Sequence, residues 1–274
     1  MSLTSFLESS PSVRSFLTER FPKPGDSERA PLRVPPRAEF ASWVGTAFDY
    51  VLRWRLEATC PLVVGGDSWI AERGAAMLPA RSRARRLAAE SVERARRRQA
   101  LHMRTGRLTN GLCESAVEMA MIDPIYRVGR GADYLGRPVP PVVRAEVREL
   151  IEIVPPSLLK PWRRCVLNPT FKLASIFDGA DADLVVDDML VEVKTTKHSK
   201  VDRDYINQLL AYYLVFLGGG IVGLQSRARI RRLGLYMARQ GRLYTWRLSE
   251  FGTEAAFRNA ARWLIAQAPH PGQR

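Results

Sequence analysis

Two strand-like runs on either side of Asp187-Asp188 constrain the fold of this chain more than any other feature. The runs cover 182–186 and 189–195, and both are dominated by valine, leucine and methionine. With a two-residue turn at Asp187-Asp188 they form an antiparallel hairpin whose side chains alternate between two faces. Asp-Asp is not the favoured Asn-Gly turn, and a longer loop would shift the pairing.

Helical and strand-like patterns alternate through the second half of the chain and follow a mainly helical first half. Strand, strand, helix, strand, strand, helix in that order predicts an α/β fold, a mixed sheet flanked by helices, with a helical N-terminal extension. The helical patterns cover 38–58, 82–104, 110–122 (ended by Pro124), 142–153, 202–216 and 250–266. The further strand-like runs cover 165–167, 232–237 and 243–248.

The chain divides by composition and predicted secondary structure into three parts. Residues 1–37 contain many prolines and are expected to be irregular, apart from a short amphipathic piece around Ser5–Leu7 that docks on the body. Residues 38–160 form an arginine-rich helical region, and 161–274 form the core that carries the chemistry. We expect the helical region and the core to make one compact unit.

Composition narrows the class of protein. The 274 residues carry a formal charge of +14, and 46% of them are hydrophobic, which supports a real core and predicts a polyanionic partner. An arginine-rich source proteome would explain the charge equally well. No apolar run long enough to span a membrane and no secretion signal is seen, so a cytoplasmic protein that binds no membrane is expected. The three cysteines have neither disulfide nor zinc spacing.

The hairpin register brings two carboxylates together. It places Asp183 opposite Glu192, with Lys194 two residues further along the same face. Opposed like charges destabilise a sheet unless something neutralises them, and carboxylate oxygens suit Mg²⁺ or Mn²⁺. A divalent ion there would polarise a phosphodiester and activate water. Taken alone, the two acids would fit the solvent side of an ordinary hairpin just as well.

The same residues carry a resemblance to a known family. Asp183, eight intervening residues and then Glu192-Val193-Lys194 resemble the PD-(D/E)xK nuclease superfamily, and Gln208 with Tyr212 resembles the QxxxY motif of its RecB-like and lambda-exonuclease-like branch. The resemblance covers roughly residues 165 to 215 and implies a restriction-endonuclease-like core.

The resemblance also implies roles. Asp183, Glu192 and the carbonyl of Val193 would bind the metal, while Lys194 would activate water or stabilise the transition state. Two positioning or phosphate-contacting groups, Gln208 and Tyr212, complete the catalytic set.

The chain departs from the branch pattern in two ways. Where the branch often has GxxxH in an earlier helix, this chain has Gly45 to Asp49, which makes Asp49 a weak candidate ligand. Three scattered cysteines predict no iron–sulfur cluster.

Arginine clusters are the candidate nucleic-acid contacts. The stretch 81–107 holds ten arginines against two glutamates, and a run this one-sided either tracks a phosphate backbone or forms a solvated helix face. A second cluster, at 227–232, leads into a strand and is expected to line the same groove. The candidate nucleic-acid contacts are Arg94, Arg96, Arg97, Arg98, Arg229 and Arg231.

These observations predict a metal-dependent deoxyribonuclease that uses Mg²⁺ or Mn²⁺, in DNA repair or antiviral defence. The alternatives are a non-catalytic nucleic-acid-binding module on the same fold and a structural subunit that binds an acidic protein. Exonuclease or endonuclease action, and DNA or RNA as substrate, stay open. Because no helicase or NTPase motif is present, any motor or targeting subunit would be a separate chain.

Overall fold

A mixed six-stranded sheet forms the centre of the protein. The structure is a computed structural model that describes residues 1–25, 29–37, 39–177, 179–225 and 228–268. In the described residues the strands are β1 (Leu62–Val64), β2 (Arg164–Leu167), β3 (Leu184–Val186), β4 (Met189–Lys194), β5 (Arg232–Met237) and β6 (Arg242–Arg247). They lie in sequential order; β1 with β2 and β4 with β5 are parallel, and the other neighbours are antiparallel. This confirms the predicted α/β class.

Helices cover both faces of the sheet. The helices of the described residues are α1 (Leu3–Ser9), α2 (Pro11–Arg20), α3 (Ala41–Thr59), α4 (Ile70–Met77), α5 (Arg83–Thr105), α6 (Asn110–Val128), α7 (Pro141–Glu152), α8 (Pro156–Leu159), α9 (Arg203–Gly219) and α10 (Glu254–Ala266). Local chemistry sets many of their ends. Ser82 caps the start of α5 through the N–H of Arg85, and Gly106 ends it in the left-handed conformation that glycine adopts without strain.

The alternation of side chains along the central strands builds two separate cores. Val186 and Val191 point into a core made with α3 to α8, whereas Val185 and Leu190 point into a second core made with α1, α2, α9 and α10. The helical region, residues 39–160, therefore packs on one face of the sheet and shares a core with it. The two faces of the sheet are buried by different parts of the chain, so both helical layers are integral to the fold.

The central hairpin has the predicted register. Val186 pairs with Met189 and Leu184 with Val191, which requires the two-residue turn at Asp187-Asp188. Asp187 adopts a φ of 50°, a left-handed conformation that aspartate tolerates better than most residues.

Both turn carboxylates bind neighbouring backbone or side chains. Asp187 Oδ1 accepts from the N–H of Arg164, and Asp188 accepts from the Arg232 guanidinium. These contacts replace what an Asn-Gly turn would supply.

The prediction of an irregular segment over 1–37 is wrong for its first twenty residues. Pro11 stands at the first position of α2, where a missing N–H costs nothing, so this proline begins a helix. α1 buries Leu3, Phe6 and Leu7, which confirms docking of the piece around Ser5–Leu7. Such short helices are stable only through tertiary packing.

Two further boundaries differ from the sequence patterns. β1 adds a strand to the region predicted as helical; it is too short for a periodicity to reveal. It is followed by Gly65, at φ 81°, where a Cβ would come within 2.5 Å of the Leu167 carbonyl oxygen.

Pro124 does not end α6, which continues to Val128 because its flanking residues Asp123 and Ile125 are buried against neighbouring elements. No helix of the described residues is both long and apolar enough to cross a membrane.

Candidate active site

The candidate site lies where β4 runs past the end of β3. Beyond the last pair of the hairpin, the N–H of Val193 donates to the carboxylate of Asp183 at 2.6 Å instead of to a strand partner. In an extended strand the N–H and C=O of one residue face the same neighbour, so the Val193 carbonyl also faces Asp183. Glu192 directly precedes Val193 in β4. Its side chain lies on the same face of the strand as that of Leu190, as the predicted register requires.

Glu192 is the centre of a buried hydrogen-bond network. Its Oε1 accepts from Lys194 Nζ at 2.9 Å and from Gln208 Nε2 at 2.9 Å, while Gln208 Oε1 accepts from Lys194 Nζ at 2.7 Å. The side chain of Glu192 is 6% exposed and that of Lys194 is 21% exposed. Carboxylate, ammonium and amide thus form a closed triangle with matched charges.

Helix α9 supplies the second layer of the site. Gln208 and Tyr212 are one helical turn apart, and Gln208 Nε2 donates to the Tyr212 hydroxyl at 3.1 Å. Phe171 stacks on the Tyr212 ring at a centroid distance of 5.6 Å. Gln208 and Tyr212 therefore lie on one face of α9, and Gln208 Nε2 reaches Glu192 from that face. Ile206 of the same helix is fully buried.

Asp49 faces the site from α3. Gly45, one turn earlier, lies against the end of β4, where a Cβ at this position would be in ordinary contact with the Cβ of Thr195 at 3.7 Å. Arg53 binds one carboxylate oxygen of Asp49 at 2.5 Å, while Oδ1 is buried with no hydrogen-bond partner. Arg53, which the sequence patterns did not single out, also lies 4.8 Å over the Tyr50 ring.

Burial and mutual repulsion shift the titration of the three acids. Burial, the charge of Glu192 and the charge of Asp49 hold the pKa of Asp183 well above its usual range. Burial raises the pKa of Glu192 more than the nearby Lys194 lowers it. Burial also raises the pKa of Asp49, against the opposing charges of Arg53 and Arg127. Because the pKa values of all three carboxyl groups are raised, the site favours the binding of protons or of a cation.

The pKa of Lys194 is shifted upward. Burial alone would lower the pKa of the ammonium, but the charge and hydrogen bond of Glu192 outweigh it. Lys194 is therefore held in its charged form.

The donor set fits a small divalent ion. Glu192 Oε2 is buried without a hydrogen-bond partner, the Asp183 carboxylate lies beside it, and the Val193 carbonyl faces the same side. Within the described ranges no three His, Cys, Asp or Glu side chains converge into a metal site. An ion would accordingly take two carboxylates and one carbonyl from the protein and complete its coordination with water, as Mg²⁺ commonly does. Asp49 acts on this set by its charge from a greater distance.

Three of the four candidate arginines on α5 form ion pairs with acids of neighbouring helices. Arg94 pairs with Glu118, Arg96 with Glu72 and Arg98 with Glu114. Arg97 differs, because its side chain is 66% exposed and pairs with Glu93 on the same helix face. Acids of α4 and α6 therefore neutralise part of the one-sided charge of this stretch.

The second arginine cluster lies away from the carboxylates. Arg231 N–H donates to the carbonyl of Asp188 at the turn end of the hairpin, and Arg229 is close by. β4 separates this end from Lys194 by five residue steps, roughly 16 Å. Arg229 and Arg231 therefore lie at the opposite end of β4 from the carboxylates, and Arg227 lies outside the described residues. That this cluster lines one groove with the arginines of α5 stays a prediction.

One residue of the network came from outside every motif. Thr4 Oγ1 lies 3.3 Å from the Tyr212 hydroxyl and accepts from Gln208 Nε2 at 3.3 Å. The sequence signal for it was the apolar spacing of Leu3, Phe6 and Leu7, which places Thr4 on a docked helix but gives no partner for it.

Comparison of the chain with models of protein families, with curated proteins and with solved structures found no match. The geometry of the site therefore carries the functional argument.

Proposed function

We propose that the chain is a divalent-metal-dependent nuclease that hydrolyses phosphodiester bonds of DNA in the cytoplasm, on a core of the restriction-endonuclease-like, PD-(D/E)xK type. One observation carries the proposal: Glu192 binds Lys194 and Gln208 through one oxygen and presents its other, unpartnered oxygen beside Asp183. A buried polar atom without a hydrogen-bond partner is uncommon in folded proteins, and a bound cation would satisfy this oxygen.

Each residue has a chemical task in this proposal. Asp183, Glu192 and the Val193 carbonyl hold Mg²⁺ or Mn²⁺, which lowers the pKa of a bound water and polarises the phosphodiester. Lys194 gives two of its three N–H donors to Glu192 and Gln208, and directs the third, on its exposed side, to the attacking water or a phosphoryl oxygen. Gln208 orients Lys194.

Burial favours one of the two roles expected for Gln208 and Tyr212. Gln208 is 8% exposed and Tyr212 is 4% exposed, so neither surface is open to a phosphate. This supports positioning and not phosphate contact. The rival function is nucleic-acid binding without cleavage, and the exposed Arg229 and Arg231 at the far end of the sheet favour it.

The test is cleavage of labelled single-stranded DNA, duplex DNA and RNA, in linear and circular form, with Mg²⁺, with Mn²⁺ and with a chelator. We expect metal-dependent cleavage of DNA. Asp183→Asn should reduce it by ~10² or more. Asp181→Asn, an exposed acid on the same hairpin face, is the matched control and should cut at the parent rate.

Tight binding of nucleic acid without cleavage in any metal would make the binding module the better assignment. Neither binding nor cleavage would favour a structural subunit with an acidic protein partner. Circular substrates that are cut would assign endonuclease action.

A further inference from the structure

The N-terminal helix closes one side of the candidate site. Thr4 is the residue of α1 that reaches it, with its Oγ1 3.3 Å from both Gln208 Nε2 and the Tyr212 hydroxyl. These contacts join residues more than two hundred positions apart in the chain.

Helix α1 is firmly seated. Leu3 is 1% exposed and its N–H donates to the Gly179 carbonyl at 2.9 Å, while the Phe6 ring packs against Phe177 at 5.6 Å. α2 continues the same layer, because Arg203 of α9 donates to the carbonyls of Leu17 and Phe21. α1 and α2 are therefore packed as an integral layer of the fold.

The hydrogen bonds of Gln208 show what Thr4 does. Its Oε1 is taken by Lys194, and its Nε2 has two hydrogens for Glu192 and for the hydroxyls of Tyr212 and Thr4. The amide cannot move toward or away from Glu192 without breaking a contact on the hydroxyl side. Because the same amide accepts from Lys194, the hydroxyls of Thr4 and Tyr212 hold the Lys194 ammonium in place indirectly, through Gln208.

We propose that Thr4 is a positioning residue of the nuclease reaction, which acts through Gln208 and Tyr212 on Lys194 and Glu192 and makes α1 a fixed wall of the site. The inference rests on the proposed function. It follows that substrate reaches the carboxylates from the side of Asp49 and Lys194, whose side chains are 26% and 21% exposed.

The chain offers a matched control. Thr18 of α2 accepts from Asn207 Nδ2 at 3.3 Å, the same kind of bond from the residue next to Gln208 on α9. Among the described residues no hydrogen bond leads from Thr18 or Asn207 to the carboxylates. Thr4→Val and Thr18→Val thus remove the same group from the same layer. Thr4→Ser keeps the hydroxyl.

The experiment uses the full chain and compares the three variants with the parent. Side-chain amide signals of Gln208 and Asn207 in ¹H–¹⁵N spectra report which hydrogen bond is lost, thermal melts report stability, and cleavage of DNA at saturating Mg²⁺ reports kcat and KM. We expect Thr4→Val to shift the Gln208 signal and to lower kcat by about threefold to tenfold with KM unchanged, the scale of one neutral hydrogen bond. Thr4→Ser should restore the rate, and Thr18→Val should shift only the Asn207 signal.

Each other outcome overturns the inference in its own way. Equal kcat for Thr4→Val and Thr18→Val would reduce Thr4 to packing. A kcat higher than that of the parent in Thr4→Val would make α1 an inhibitory lid instead of a wall. A parent that cleaves nothing refutes the proposed function itself, and the role of Thr4 falls with it.

Discussion

Lys194 and Glu192 depend on one another for their charge. The ammonium is largely buried and keeps its proton because Glu192 and Gln208 surround it with oxygen. In the part of the chain that the structure describes, no lysine or arginine forms an ion pair with Asp183, whose carboxylate accepts from the N–H of Val193. Removing Asp183 therefore relieves repulsion, whereas removing Glu192 leaves a buried cation with one partner fewer.

This asymmetry predicts separable effects of Lys194→Met. The variant keeps both carboxylates, so we expect Mg²⁺ affinity equal to or above that of the parent, with cleavage slower by ~10²–10³. Calorimetric titration with Mg²⁺ and single-turnover cleavage measure the two. Lys197→Met, an exposed lysine of the following loop, is the control. Loss of metal binding in Lys194→Met would contradict the assignment of Lys194 to the chemical step.

Asp123 is a second buried acid with a measurable consequence. Burial raises its pKa to about 6, although the hydrogen bond from Tyr50 at 2.8 Å lowers it in part. The folded protein binds this proton more tightly than the unfolded chain, whose carboxyl titrates near pH 4. The protonated Asp123 therefore adds to the free energy of unfolding fully below about pH 4, and this stabilisation is lost as the pH rises to about 6 and beyond.

Asp123→Asn keeps an acceptor for Tyr50 and removes the titration. We expect the variant to gain stability over the parent as the pH rises from about 4 to about 6, by at most about 2–3 kcal/mol. Urea unfolding of both proteins at pH 4, 5, 6 and 7.5 measures the difference. A difference that does not change with pH would show that Asp123 does not titrate in this range.

Helix α5 shows how an element's neighbours decide the role of its charges. Arg96 donates to Glu72 and to the Asp67 carbonyl, and its guanidinium lies 3.7 Å over the Trp69 ring. These contacts fasten α5 to the segment that precedes α4. Arg97, one position on, points to solvent.

We expect Arg96→Ala to lower the free energy of unfolding by about 1–2 kcal/mol, because it loses a partly exposed ion pair and a stacked ring. Arg97→Ala should stay within about 0.5 kcal/mol of the parent. Chemical unfolding measures both. If the exposed face of α5 binds phosphates, Arg97→Ala alone should lower DNA affinity and its salt dependence. Equal stability losses in the two variants would contradict this division.

At the scale of the whole molecule, one buried ion pair joins the helical region to the sheet. Arg239, after β5, binds Glu146 of α7 at 2.6 Å, and both side chains are almost fully buried. The same guanidinium donates to the carbonyls of Val34 and Thr195, the latter adjoining Lys194. The irregular segment 29–37, the helical region and the end of β4 therefore meet at one side chain.

Breaking this pair on one side should be costly. Glu146→Leu leaves a buried guanidinium without its counter-charge, and we expect a loss of about 3–5 kcal/mol. Glu146→Leu with Arg239→Met should recover part of it, since no buried charge remains. Chemical unfolding of the two single variants and the double variant gives the coupling energy. Strictly additive losses would show that the two residues act independently.

The hairpin and its chemistry were predictable because they depend on neighbouring residues. Side-chain alternation and a two-residue turn are local properties, and together they placed Asp183 opposite Glu192 before any tertiary contact was known. The one-turn spacing of Gln208 and Tyr212 on α9 is local in the same sense. The amino-acid sequence by itself therefore determined the strands of the hairpin, the helix behind it and the acids at its end.

Only the tertiary structure decided which distant groups complete or neutralise these elements. Thr4 enters the site because α1 packs on α9, Arg96 is neutralised because α4 lies beside α5, and Arg229 lies at the far end of the sheet because β5 runs parallel to β4. Periodicity tells which face of an element is buried but carries no information on which element buries it. Contacts of that kind arise from the packing of the whole chain, where charge and burial are settled together.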